Sequence, residues 1–240
     1  MLAYTKHLSC FFLCILLSVA GGRLHAQDPF AELARVQSLY TSADNYSLQL
    51  KIKAYQGHQS TELADVISGS YEVSGKRFKL VLGPAVTLKN ETYLLGIDER
   101  FKEIDVADAG RQESAAGFLD FRKMEAQLRK HRALSLKTEA DGNRTLTFDM
   151  TRSGDEYEKV VIRYRPSGEL LSVVFFYRAE AQAYGISGQY KARVEVEYTS
   201  QNFHPTFPEN NFSEKKYIRV TGREIAPQPA YKNYKIFDLL

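Results

Sequence analysis

Residues 46–53 read Tyr-Ser-Leu-Gln-Leu-Lys-Ile-Lys. Leu48, Leu50 and Ile52 alternate with Gln49, Lys51 and Lys53, the two-residue period of a strand with one face buried and the other wet. Immediately upstream the period is different. Asp28-Pro29 supplies an N-cap and a first-turn proline, and Phe30, Leu33, Val36 or Gln37, and Tyr40 follow at helical spacing. The pattern predicts a helix over 29–43 whose apolar face needs a partner surface, with a sheet beginning at Tyr46 to provide it.

Downstream the alternation continues. Residues 66–73 read as a strand broken at Gly69. Phe78, Leu80 and Leu82 alternate with Lys79 and Val81 up to a Gly83-Pro84 stop. Residues 86–88 and 93–97 follow, then a turn at Asp98-Glu99-Arg100, beyond which Ile104 and Val106 alternate with Glu103 and Asp105. Turn signals about ten residues apart read as an antiparallel meander. Phe118, Phe121, Met124 and Leu128 then fall on one stripe among charged neighbours, which predicts a second helix over 114–131.

Strands resume at 134–138, 146–150 and 160–164, and a turn at Arg165-Pro166-Ser167-Gly168 leads into 170–177. In that last stretch Leu171, Val173, Phe175 and Tyr177 share one face, while Val174 and Phe176 share the other. Both faces are apolar, so this strand is expected in the centre of the sheet and covered on both sides. Residues 194–198 form one more strand. From Asn202 onward Pro205, Pro208, Pro227 and Pro229 punctuate a tail with short strands expected at 217–220 and 234–237. The whole reads as a single α+β domain of about ten or eleven strands and two helices.

The start of the chain is of another kind. Lys6 and His7 precede an apolar run over 8–20, and Gly21-Gly22 and Leu24-His25-Ala26 follow, the layout of a cleaved secretory signal peptide over 1–26. A run of about 13 residues is short of the roughly 20 needed to span a bilayer, and no transmembrane segment is expected in the mature chain. Lys6 and Arg23 leave with the leader, taking 32 basic side chains to 30 against 29 acids. Such a balance carries no electrostatic footprint for nucleic acid. Cys10 and Cys14 also leave, so disulfides and thiol chemistry are excluded from the mature chain. A cysteine-free exported chain suits the periplasm of a Gram-negative bacterium.

Reactive constellations are missing. There is no G-x-S-x-G elbow, and no Gly-rich phosphate loop precedes a helix. The mature histidines, His58, His131 and His204, are more than 70 residues apart and lack the paired spacing of zinc ligands. No enzyme activity, metal or cofactor is expected.

The order of elements, with Gly69-Ser70-Tyr71-Glu72-Val73, Gly75-Lys76-Arg77-Phe78-Lys79-Leu80, Tyr93-Leu94-Leu95-Gly96-Ile97-Asp98 and Lys102-Glu103-Ile104, resembles the LolA/LolB-like superfamily of periplasmic lipoprotein carriers. The resemblance spans about residues 29–200 and is looser in the second half, where it rests on 162–171. It implies an incomplete β-barrel: a strongly curved antiparallel sheet, its open side covered by two helices, with an apolar cavity between them.

The implied function is a non-catalytic binding protein of outer-membrane biogenesis or transport that carries or senses a lipid or lipoprotein acyl chain. Burial of each CH₂ of such a chain is favourable by about 0.8 kcal/mol without any reactive group. The cavity walls implied are Leu48, Leu50, Ile52, Phe78, Leu80, Leu82, Val174 and Phe176, with Phe118, Phe121 and Leu128 from the cover. The chain departs from the carriers in having no tryptophan and in its long tail, so that 27–201 stands as the half-barrel and 202–240 as extra strands, a lid or a docking arm. An alternative makes the same fold a scaffold or assembly subunit of a cell-envelope complex, docking on a protein partner through the tail.

Overall fold

The computed structural model describes residues 28–110, 133–150, 156–178, 192–222 and 224–239. The leader at 1–26 and the helix expected at 114–131 lie outside the described residues. The first element is helix α1 (Pro29–Ser42). Asp28 caps it, its carboxylate accepting from the Phe30 N–H at 3.0 Å, which satisfies one of the donors that a helix start leaves open. Its buried residues Leu33, Val36, Gln37 and Tyr40 form one stripe.

The period then changes to two, and six strands run as a meander: β1 (Asn45–Tyr55), β2 (Leu63–Ser74), β3 (Arg77–Leu82), β4 (Ala85–Lys89), β5 (Tyr93–Asp98) and β6 (Glu103–Asp108). A second meander contains β7 (Ala133–Thr138), β8 (Arg144–Asp149), β9 (Tyr157–Tyr164), β10 (Leu170–Tyr177) and β11 (Arg193–Asn202). The tail adds β12 (Ile218–Thr221), β13 (Glu224–Pro227) and β14 (Lys235–Asp238). The two meanders join where β1 pairs with β11. The result is one curved, unclosed sheet ordered β14-β6-β5-β4-β3-β2-β1-β11-β10-β9-β8-β7, with β12 and β13 as a separate hairpin. One α-helix is described, where two covering helices were expected. The sheet is antiparallel except at β14, which the tail lays parallel to β6.

Gly69 does not break β2, which is continuous. It sits where β3 approaches closely: a Cβ there would stand 2.1 Å from the Val81 carbonyl oxygen and 2.7 Å from Leu82 Cδ2. Only a residue without Cβ fits such an approach. At the next turn Gly75 takes φ 59°, a left-handed conformation that glycine adopts freely.

Register decides which side chains share a face. Leu48, Leu50 and Ile52 pair with Tyr71, Gly69 and Ile67, and through them with Leu80 and Leu82 of β3. These residues belong to the same core as Leu33, Val36 and Tyr40 of α1, and this side is called the helix face. Leu80 pairs with Thr87 and Leu82 with Ala85, so in β4 the large residues Val86 and Leu88 point the opposite way. Leu95, Ile97, Ile104 and Val106 follow them and pack with Tyr217 and Ile218 of the tail. The apolar side of the sheet therefore changes between β3 and β4, and the tail covers the new side, called the tail face.

Two expectations for β10 change. A register shift between Leu170 and Ser172 places Leu171 outside the ladder. Leu170 rather than Leu171 is fully buried, at 0 % exposure. A bulge re-aims the side chain next to it in this way. Val174 and Phe176 pair with Glu195 and Arg193, which puts them on the tail face and only half-buried. The strand is central, but its second face is partly wet.

Candidate functional site: the layer between the helix and the sheet

The helix face is an apolar floor. From β8 through β11 to β1 it carries Phe148, Ile162, Val173, Val196 and Leu50, all at most 2 % exposed. It continues through Tyr71 to Phe78 and Leu80. From β7 to β3 it crosses eight strands, which at about 4.8 Å spacing is about 34 Å. Helix α1 is about 21 Å long and about 10 Å wide with its side chains.

Polar anchors hold α1 over one end of that floor. Glu32, whose side chain is 12 % exposed, accepts from Arg144 at 2.7 Å, Arg35 at 3.0 Å and the Tyr164 hydroxyl at 3.1 Å. Burial pushes its carboxyl upward, but the hydrogen bonds from Arg144, Arg35 and Tyr164 outweigh that and hold it below the ordinary carboxylate value. Burial also pushes the Tyr164 hydroxyl up to about 12, aided by the Glu32 charge. Arg35 donates to the Pro166 carbonyl at 2.7 Å, fixing the helix to the β9–β10 turn.

At the C-terminal end of α1, the Tyr40 hydroxyl donates to Gln201 Oε1 at 2.5 Å and accepts from the Leu170 N–H at 2.9 Å. Gln201 Nε2 closes the loop on the Leu170 carbonyl at 2.5 Å. Around this network Tyr40, Tyr46, Tyr71 and Phe203 form a ladder of rings 5.4–6.0 Å apart. Burial raises the ionisation of Tyr40, Tyr46 and Tyr198 far out of the ordinary tyrosine range, so all three are neutral hydroxyls.

The structure brings together six of the residues read from the sequence. Leu48, Leu50, Ile52, Phe78 and Leu80 lie buried on the helix face, and Leu82 lies half-buried beside them. Val174 and Phe176 do not join them. Phe176 lies under the Lys159 ammonium at 3.9 Å and edge-on to His58 at 5.1 Å. Its neighbourhood is a charged surface where Lys53 pairs with Glu197 and Arg193 stacks on Tyr55. Phe118, Phe121 and Leu128 lie outside the described residues.

Gln37 and Tyr198 also belong to this interior, and Tyr198 continues the buried alternation of Val194 and Val196 on β11. The signal for Gln37 in the sequence is its place beside Val36 on the helical stripe; nothing in the sequence marks either residue as unpartnered. Among the described residues no group of three or more His, Cys, Asp or Glu could hold a metal ion, and no helix is long and apolar enough to cross a membrane.

On the tail face two pockets of about 500 and 430 Å³ open beside the tail. The first is lined by Lys79, Asn211, Lys215 and Lys216, the second by Arg77, Pro205, Phe207 and Phe212. None of the residues expected to line a cavity borders either.

No family model matches the chain. No curated protein sequence matches it either. Solved structures do. The chain is similar to an uncharacterized conserved protein from Thermus thermophilus, at 8 % identity over 87 % of this chain and 97 % of that one, with a TM-score of 0.47. It is also similar to a LolA superfamily protein from Nitrosomonas europaea (13 % identity, 77 % and 97 % covered, TM-score 0.35). A third likeness is to the Mycobacterium tuberculosis lipoprotein LppX (11 % identity, 74 % and 97 % covered, TM-score 0.39). The LolA-like resemblance read from the strand motifs thus recurs among the structural matches. With TM-scores below 0.5, they add nothing about what this chain binds.

Proposed function

We propose that this chain is an exported, non-catalytic binding protein that holds an acyl chain between α1 and the helix face of the sheet. One observation supports the reading most: the buried face of the sheet under α1 is a continuous apolar surface that runs across eight strands. An extended acyl chain laid along Leu48, Leu50, Ile52 and Leu80 finds continuous hydrocarbon. At about 0.8 kcal/mol per buried CH₂, twelve methylenes contribute about 10 kcal/mol before ordering costs. The anchors at Glu32 and Tyr40 lie at the two ends of α1, so the helix is held by its ends and its middle faces the floor.

In this reading the tail is a structural cover of the other side. Its last strand is paired with β6 of its own sheet, which leaves the tail less suited to docking on a partner in the envelope. The periplasm of a Gram-negative cell, reached by way of the leader 1–26, is the compartment proposed.

Native mass spectrometry of the gently extracted protein tests this. A mass increment that fragments to an acyl lipid is expected, or uptake of one after exposure to lipid. A bare mass after lipid exposure contradicts it.

A further inference from the structure

Among the described residues, two buried polar side-chain atoms have no hydrogen-bond partner: Gln37 Nε2 and the Tyr198 hydroxyl. Both belong to residues more than nine-tenths buried, at 8 % and 6 % exposure. Gln37 sits on the inward stripe of α1, one turn before Tyr40. Tyr198 sits on β11 opposite Leu50, on the floor beneath the helix, close enough to Tyr40 and Tyr46 that ionising one would disfavour ionising another. Neighbouring polar groups are already committed. The Tyr40 hydroxyl both donates and accepts, and the Gln201 amide is used on both sides.

A buried donor without an acceptor carries a free-energy cost that native interiors almost always avoid. Here both groups are able to donate, and both belong to the layer between helix and sheet.

We infer that Gln37 Nε2 and the Tyr198 hydroxyl receive a carbonyl oxygen of the ligand, and that the ligand is a neutral acyl ester rather than an ionised fatty acid. This rests on the acyl-binding reading above. The choice of ester follows from charge. Among the described residues the buried polar side chains are Gln37 and Asn90, with no lysine or arginine. Asn90 is occupied on the tail side, where it donates to Glu214 at 2.7 Å. A carboxylate brought into this layer would lose its hydration, and the arginines at the edge of the layer, Arg35 and Arg144, are already paired with Glu32, whereas an ester carbonyl needs only the two donors. Tyr198 also stays protonated in so apolar a place, keeping its O–H available.

The test compares methyl palmitate, hexadecane and palmitate at pH 8, each presented from cyclodextrin to the full chain and to the Gln37→Leu, Tyr198→Phe and double variants. Both substitutions keep side-chain volume, and thermal melts verify that the variants fold. The single variants serve if the double one does not.

In the double variant methyl palmitate is expected to bind about tenfold more weakly, while hexadecane is unchanged or tighter. Palmitate is expected to bind the wild-type chain more weakly than the ester. Loss of methyl palmitate and hexadecane affinity in equal measure overturns the inference, as does no loss of either or a preference for palmitate. Failure of the wild-type chain to take up any of the three overturns the acyl-binding reading, and this inference with it.

Discussion

The sheet has two apolar regions built from the same alternation but facing opposite ways. On the helix face, from β8 to β3, the floor is broad, its cover is held by polar anchors at its ends, and two donors inside are unpartnered. On the tail face, from β4 to β6, the core is small and closed. Leu95, Ile104 and Val106 are 0 % exposed against Tyr217 and Ile218. Tyr217, Tyr231 and Tyr234 pack tilted or edge-on with ring centres 5.0–5.3 Å apart, and Asn90 accepts from the Thr92 and Tyr93 N–H groups while donating to Glu214. The tail core completes the sheet with the tail's own side chains. Under the proposed reading, the helix face with its two unpartnered donors is the side that takes the ligand.

The strongest way to break that separation is to cut into each core in turn. Phe148→Ala on the helix face and Leu95→Ala on the tail face should each lower unfolding free energy by about 3–5 kcal/mol in chemical denaturation. Because they lie in different clusters on different faces, the double variant should lose the sum to within about 0.5 kcal/mol. A large coupling would mean the two regions are one core. Lipid uptake should suffer in Phe148→Ala and persist in Leu95→Ala at temperatures where both remain folded.

Gly69→Ala probes the junction between the regions. The Val81 carbonyl must move to admit the new methyl, so a loss of about 1–3 kcal/mol is expected, seen as a lower melting temperature. An unchanged melting temperature would show that the approach of β3 to β2 at Gly69 is soft.

A third experiment sharpens how α1 is held. The Glu32 carboxyl is depressed in the folded state, so its stabilisation is complete above the unfolded value near 4.5 and is lost as pH falls through the lower folded value. Glu32→Gln should be less stable than wild type at pH 7, and the gap should narrow as pH falls below about 4.5 in denaturation measured against pH. A constant gap would leave the Glu32 charge without a role. The smallest effect is expected on the wet side of β1 and β11. Lys53→Ala breaks the pair with Glu197 and should cost about 0.2–1 kcal/mol without altering uptake.

Much of the fold was legible. The cap at Asp28 and the alternation in 46–53 placed α1 and β1 within a residue or two, and β3, β5, β8 and β10 followed in the same way, whereas β9 begins three residues earlier and β11 ends four residues later than read. The phase between strands was not legible. Alternation tells which residues of one strand share a face, but the turn sets the face of the next strand. The Gly83-Pro84 turn pairs Leu82 with Ala85, and this sends Leu88 to the side opposite Leu80.

Val174 and Phe176 were misplaced for a related reason. Both phases of 170–177 are apolar, so the period is silent there. The partner strand decides, because the residues opposite them, Arg193 and Glu195, are charged and only half-buried. Strand β13 reads Glu-Ile-Ala-Pro and carries no alternation to find it by. Gln37 and Tyr198 lie on the helical stripe and the β11 alternation, but those patterns do not bring the two together. Their place in one layer emerges only once α1 is docked on β11.

The most direct measurement is photo-crosslinking with a methyl ester whose acyl chain carries a diazirine, with the adducts mapped by peptide mass spectrometry on the full chain. Adducts on α1, β1, β10 and β11, at helix-face positions such as Leu50, Val173 and Val196, are predicted. Adducts confined to the tail pockets around Lys79, Asn211 and Phe212, or no adducts at all, would contradict the account.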